Sequence, residues 1–196
     1  MVLALVSLPL FRNFDVLAQD PTENEDTIVT ATIQAWINFI IAETDLTLNT
    51  DLVASDGTTH IGTASTSFTV GTNNTNGWNV QIQGANGGLL QEGEGSNLIP
   101  TVTGRELLTA GTNGYGATVS DLNALGSDLT IETNYATDGE NVGEVPNASA
   151  VTVVSHDGPH DNEIVADFIV KAAAAATTPS GDYKDTITLT ATAPLN

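Results

Sequence analysis

The chain has 196 residues, no cysteine, and 24 acidic against 4 basic side chains, a formal net charge of -20. Such a field excludes nucleic-acid binding, which draws its affinity from phosphate neutralisation by Lys and Arg, and it disfavours anionic lipid surfaces. The lack of cysteine removes disulfides, thiolate nucleophiles and thiolate metal sites, so an exported fold must be held by packing, bound ions or assembly. Hydrophobic residues make up 40% of the chain and fall into strand-like runs, which predicts a folded single domain in spite of the charge.

Residues 2–11 are apolar and Val16-Leu17-Ala18 offers the small residues a signal peptidase reads, so residues 1–18 read as an export signal cut after Ala18. If retained, they form an apolar segment that must pack against something. The run is too short to span a bilayer, which takes about 20 apolar residues. Residues 19–26 are a polar, acidic lead-in, and residues 27–196 carry the folded domain. Val29, Ala31, Ile33, Ala35, Ile37 and Phe39 alternate with Thr30, Thr32, Gln34, Trp36 and Asn38. Side chains of a strand point alternately to opposite faces, so this reads as one long first strand. Leu46 and Leu48 suggest a short second one.

Phe68 and Val70 end a third run, and the turn at residues 73–77 leads into a strand with Trp78, Val80 and Ile82 inward. An Asn-Gly pair between alternating runs predicts a hairpin, because both residues accept positive φ. Residues 89–104 are weaker, with Leu98, Ile99 and Val102 to bury. Leu107-Leu108 and residues 115–119 predict short strands, residues 121–126 a helical turn, and Leu129 with Ile131 another strand. Residues 137–148 read as a long acidic loop. A strand begins at Val151; Ile164, Ala166, Phe168, Val170 and Ala172 form another, finished by the alanine run rather than turned into a helix. In the last strand, read as Tyr183 to Ala193, Ile187, Leu189 and Ala191 share one face, with threonines on the other. The predicted fold is an all-β antiparallel sandwich, Ig-like or jelly-roll-like.

Polar residues are densest at 155–163. A turn through Gly158-Pro159 would bring His156 and His160 together as nitrogen ligands, with Asp157, Asp161 or Glu163 completing a transition-metal site. The carboxylates and carbonyls there could instead hold Ca2+, or the segment is a hydrated loop of the residues that loops favour. Residues 137–141 echo the start of a calcium loop without its terminal glutamate. No nucleophile elbow, zinc-protease helix or phosphate loop occurs, so no catalytic set and no organic cofactor are expected. Trp36, Trp78, Tyr115 and Tyr135 are candidates for stacking on sugars, although sandwich cores absorb such rings. Asn73-Asn74-Thr75 and Asn147-Ala148-Ser149 are glycosylation-type triplets.

Ala35-Trp36-Ile37, the Thr-Val-Gly-Thr-Asn segment at 69–73, Gly77-Trp78-Asn79-Val80, and Pro179-Ser180-Gly181-Asp182-Tyr183 before the final strand together resemble the secreted surface proteins of the camelysin and TasA type and the archaeal bundling pilins similar to them. The resemblance spans roughly residues 27–193. It implies a prokaryotic cell-surface subunit that polymerises with copies of itself by lending a strand to its neighbour, and it supplies no catalytic residues. Val29, Ala31, Ile33, Ala35 and Ile37 are then candidates for the lent strand, unless they form the first strand of their own sheet. In that case the donor is the stretch before Thr27 or the apolar residues 2–11. A carbohydrate-binding or adhesive module is the alternative, and a metal-dependent secreted enzyme a third reading.

Overall fold

Period-two patterns, β-branched residues and frequent turns build thirteen strands among the described residues and no helix. The computed structural model describes residues 30–93, 95–121 and 129–194, and of residues 161–165 the backbone alone. Gln34–Asn196 form one compact unit and Met1–Ile33 another. The residues expected to make a helical turn fall largely outside the described ones, as do the export signal, the acidic lead-in and Val29.

The strands are β1 (Ile37–Ile41), β2 (Ile61–Thr72), β3 (Trp78–Gly84), β4 (Gly88–Gln91), β5 (Leu98–Pro100), β6 (Arg105–Leu107), β7 (Gly114–Asp121), β8 (Leu129–Ile131), β9 (Asn141–Gly143), β10 (Val151–His156), β11 (His160–Ala173), β12 (Tyr183–Lys184) and β13 (Ile187–Thr192). They form a six-stranded sheet in the order β1-β2-β11-β7-β9-β6, a four-stranded sheet β13-β3-β10-β8, and a small sheet β12-β4-β5. Every strand pairing within these sheets is antiparallel. None closes into a barrel. The result is all-β and sandwich-like, with one main core between the sheets.

That core follows from the alternation. Phe68 and Val70 of β2, Ala166, Phe168 and Val170 of β11, and Ala117 and Val119 of β7 meet Trp78, Val80 and Ile82 of β3 in one buried cluster. Each fully buried Val, Ile or Phe among them contributes roughly 1.5–3 kcal/mol of transfer free energy, and each alanine less. A bulge in β10 between Thr152 and Val154 breaks the alternation, so the consecutive Val153 and Val154 are both fully buried. In β13 the threonines face out, while Ile187, Leu189 and Ala191 pack half-buried against the core.

Several local expectations are corrected. The long first strand shrinks to Ile37–Ile41, and residues 30–36 belong to no strand. Leu46 and Leu48 form no strand either, but a non-repetitive loop that still packs against the core. The turn at 73–77 is not a hairpin: β2 and β3 lie in different sheets, so the chain arches from one to the other. Gly77 is required there twice over, by its φ of 72° and because a Cβ would collide with the carbonyl of His156. The acidic loop hides β9, whose Val142 is fully buried, as is Val145 just beyond it.

Candidate functional site

Two features of the fold invite chemistry or partners: the outer edge of β1, and the end of the sandwich where β2, β3, β10 and β11 turn.

β1 ends the six-stranded sheet, paired on one side with β2 from Ile37↔Thr72 to Ile41↔Phe68. Among the described residues no strand lies on its other side. A sheet edge presents backbone donors and acceptors that template another strand, and soluble proteins commonly blunt such edges with charge. β1, with the sequence Ile-Asn-Phe-Ile-Ile, carries none. Phe39 and Ile41 pack on the core, whereas Ile37 and Ile40 are exposed, Ile40 at 51%. Trp36, just before the strand, is 44% exposed.

The segment entering β1 is held by side chains rather than by a backbone ladder. The Trp36 N–H donates to Asn73 Oδ1 at 2.8 Å, Asn73 Nδ2 donates to the Gln34 carbonyl at 2.8 Å, and the Thr72 hydroxyl donates to the Trp36 carbonyl at 2.6 Å. Of the donor-strand candidates, Ala31, Ile33 and Ala35 are exposed and lie in no strand, Ile37 opens β1, and Val29 lies outside the described residues. The next residue of the same turn, Asn74, is buried and donates through Nδ2 to the Pro194 carbonyl. Neighbouring asparagines thus hold both Gln34 and Pro194.

At the same end the β10–β11 turn, with Gly158 at φ 80°, brings His156 and His160 together. Their rings meet edge to face with centroids 5.2 Å apart, and His156 stacks on Trp78 at 6.0 Å and 13°. His156 is only 5% exposed, and its Nδ1 has no hydrogen-bond partner. Asp157 is exposed, and the side chains of Asp161 and Glu163 lie outside the described ones. Among the described residues no three His, Asp or Glu side chains converge on one point. In the other acidic segment, Asp138 pairs with Arg105 at 3.2 Å and Glu140 with Lys171 at 3.0 Å, so these carboxylates face cationic side chains.

Of the aromatics considered for sugar stacking, Trp78, Tyr115 and Tyr135 are in the core, and Trp36 alone is exposed. Of the two glycosylation-type triplets, Asn73 has its amide engaged on Gln34 and Trp36, while Asn147 lies on an exposed bend.

Asp185 was not singled out by sequence reasoning. Its Oδ1 accepts from the backbone amides of Thr186, Asn86 and Ala85 at 2.9, 3.1 and 3.2 Å, fastening the 84–88 loop to the approach of β13. Its Oδ2 is buried without a partner, beside the position a Gly84 Cβ would take. Burial pushes this carboxyl above the usual range, against the opposing pull of the amides. The only sequence signal was an acid between the Tyr183-Lys184 pair and an alternating strand, which alone does not separate a clamp from a solvated aspartate.

No protein-family model, no curated protein and no solved structure matches this chain.

Proposed function

We propose that this chain is a structural subunit of an extracellular filament or surface layer of a prokaryote, its body an Ig-like or jelly-roll-like sandwich, polymerising with copies of itself by strand donation. One observation carries the reading. The stretch with the strongest strand alternation near the amino terminus, residues 29–36, makes no strand at home through its described part, yet it runs directly into an uncharged, apolar sheet edge. A segment of this kind in one subunit can continue the sheet of the next along an open edge, each ladder bond worth about 0.5–1.5 kcal/mol net and each buried aliphatic adding to it. Val29, Ala31, Ile33 and Ala35 supply the apolar face, with Ile37 at the boundary. The charge of -20 keeps free subunits apart until salt or divalent ions such as Ca2+ screen it. The alternative, an adhesive or carbohydrate-binding module, is weakened by the burial of three of its four candidate aromatics.

Two truncations test the proposal, one removing the chain before Thr27 and one removing it through Trp36. Folding is followed by circular dichroism and assembly by electron microscopy. A folded monomer that no longer polymerises after the longer deletion, but does after the shorter, locates the donor at residues 27–36. Normal filaments from both variants would sink strand donation by this segment.

A further inference from the structure

We infer that the β10–β11 turn is a seat for a borderline divalent transition-metal ion, held by His156 and His160. The inference is independent of polymerisation and rests on three features of the pair. First, its spacing suits a chelate: with nitrogen–metal bonds of about 2.0–2.1 Å at a tetrahedral angle, two imidazole centroids fall about 5 Å apart. The centroids of His156 and His160 are 5.2 Å apart. The rings stand edge to face, and His160 is the less buried of the two.

Second, His156 Nδ1 is buried with no hydrogen-bond partner. An orphaned buried polar atom of this kind is rare and costly, and an ion on that nitrogen would supply the missing partner. His160 can keep a hydrogen bond on one ring nitrogen while the other ligates, the usual state of a metal-bound histidine. Third, the site is set by fold rather than by flexible side chains. His156 ends β10 opposite Trp78, His160 opens β11 opposite Thr72, and the tight turn between them fixes their separation.

Imidazole pairs favour Cu2+, Ni2+ and Zn2+ over Ca2+, with Cu2+ the tightest. The negative field of the whole chain raises the local cation concentration without choosing among them. With two protein ligands, the ion completes its shell with water. The site is therefore a binding site, with no catalytic role implied.

Trp78 provides the readout, because a paramagnetic ion next to a ring stacked on His156 quenches its emission. Trp36 is the only other tryptophan, so the full-length, untagged Trp36→Phe protein reports on Trp78 alone. Titration with Cu2+ should give saturable, one-site quenching, and Ca2+ should give none. His160→Ala should weaken binding by more than about tenfold, since even outer partners of metal ligands are worth that much. His156→Gln should do the same in protein whose circular dichroism is unchanged. His60→Ala, which removes the only remaining histidine, should bind as before. Equal affinity in His160→Ala, quenching lost in His60→Ala, or no saturable response to Cu2+ would each overturn the assignment. The last would leave a buried water as the partner of Nδ1.

Discussion

The first and last strands of the fold are both sheet edges with clear alternation, yet the last keeps its alternating part, Ile187–Thr192, and gives up only its start, of which Tyr183–Lys184 join the sheet β12-β4-β5, while the first keeps only Ile37–Ile41. β13 pairs with β3 at every position from Ile187 to Thr192, and the Asp185 carboxylate pins its entry to the 84–86 backbone. The approach to β1 has as clear an alternation, but its backbone between Gln34 and Trp36 is held by the side chains of Thr72 and Asn73. Alternation reports what a segment can pair with. Whether it pairs within the same molecule depends on the register available at home, and the arch after β2 ends the home ladder at Thr72.

The sharpest break of that comparison is a charge on each apolar face. Leu189→Asp buries an unpaired carboxylate against the core and should unfold the protein, whose whole margin is of order 5–15 kcal/mol. Thr188→Asp, on the outer face, should leave melting within about 0.5 kcal/mol of wild type. Ile33→Asp, at an 86% exposed position, should leave the monomer's melting unchanged while blocking filament formation. Loss of monomer stability in that variant would mean that Ile33 is needed at home.

Next in size is Asn73→Ala, which removes both amide bonds to the entering segment. A loss of about 1–2 kcal/mol is expected, confined to that end. Hydrogen exchange should quicken at the Trp36 amide and stay unchanged through β13.

A subtler effect concerns Asp185. Its carboxyl is raised by burial, so the folded state holds the proton more firmly than the unfolded chain. The stability linked to it is fully present below the ordinary carboxylate range and is lost as pH rises through the raised value. Asp185→Asn should therefore melt with a flatter dependence on pH across the mildly acidic range than wild type. Parallel curves for the two proteins would contradict this.

The smallest effect expected is from Tyr135→Phe. The hydroxyl donates to the Glu144 carbonyl at 2.8 Å, and removing that bond should cost about 1 kcal/mol. Burial raises this hydroxyl to about 12, so wild type should lose stability between about pH 10 and 12, and the variant should lose less.

The strands with strict alternation were legible because burial on one face leaves a period-two imprint: β3, β13 and residues 166–170 of β11 show it residue by residue. β9 was not, since a three-residue strand between glycine and acidic turns leaves one buried valine, Val142, to announce it. The arch at 73–77 could not be told from a hairpin because both need positive φ at the same glycine, and only the partner strands differ. At the site, the approach of His156 to His160 was readable from the Gly158-Pro159 turn. The burial of His156 beneath Trp78 was not, because it depends on a cross-strand register set by the β10 bulge.

The neighbouring asparagines also have a mechanical meaning. Gln34 and Pro194 are tied to consecutive residues of one turn, so tension applied between them is shunted across Asn73 and Asn74 and the sheets stay unstrained. Under load, the first bonds to yield would be side-chain bonds that can re-form, ahead of any rupture of the core.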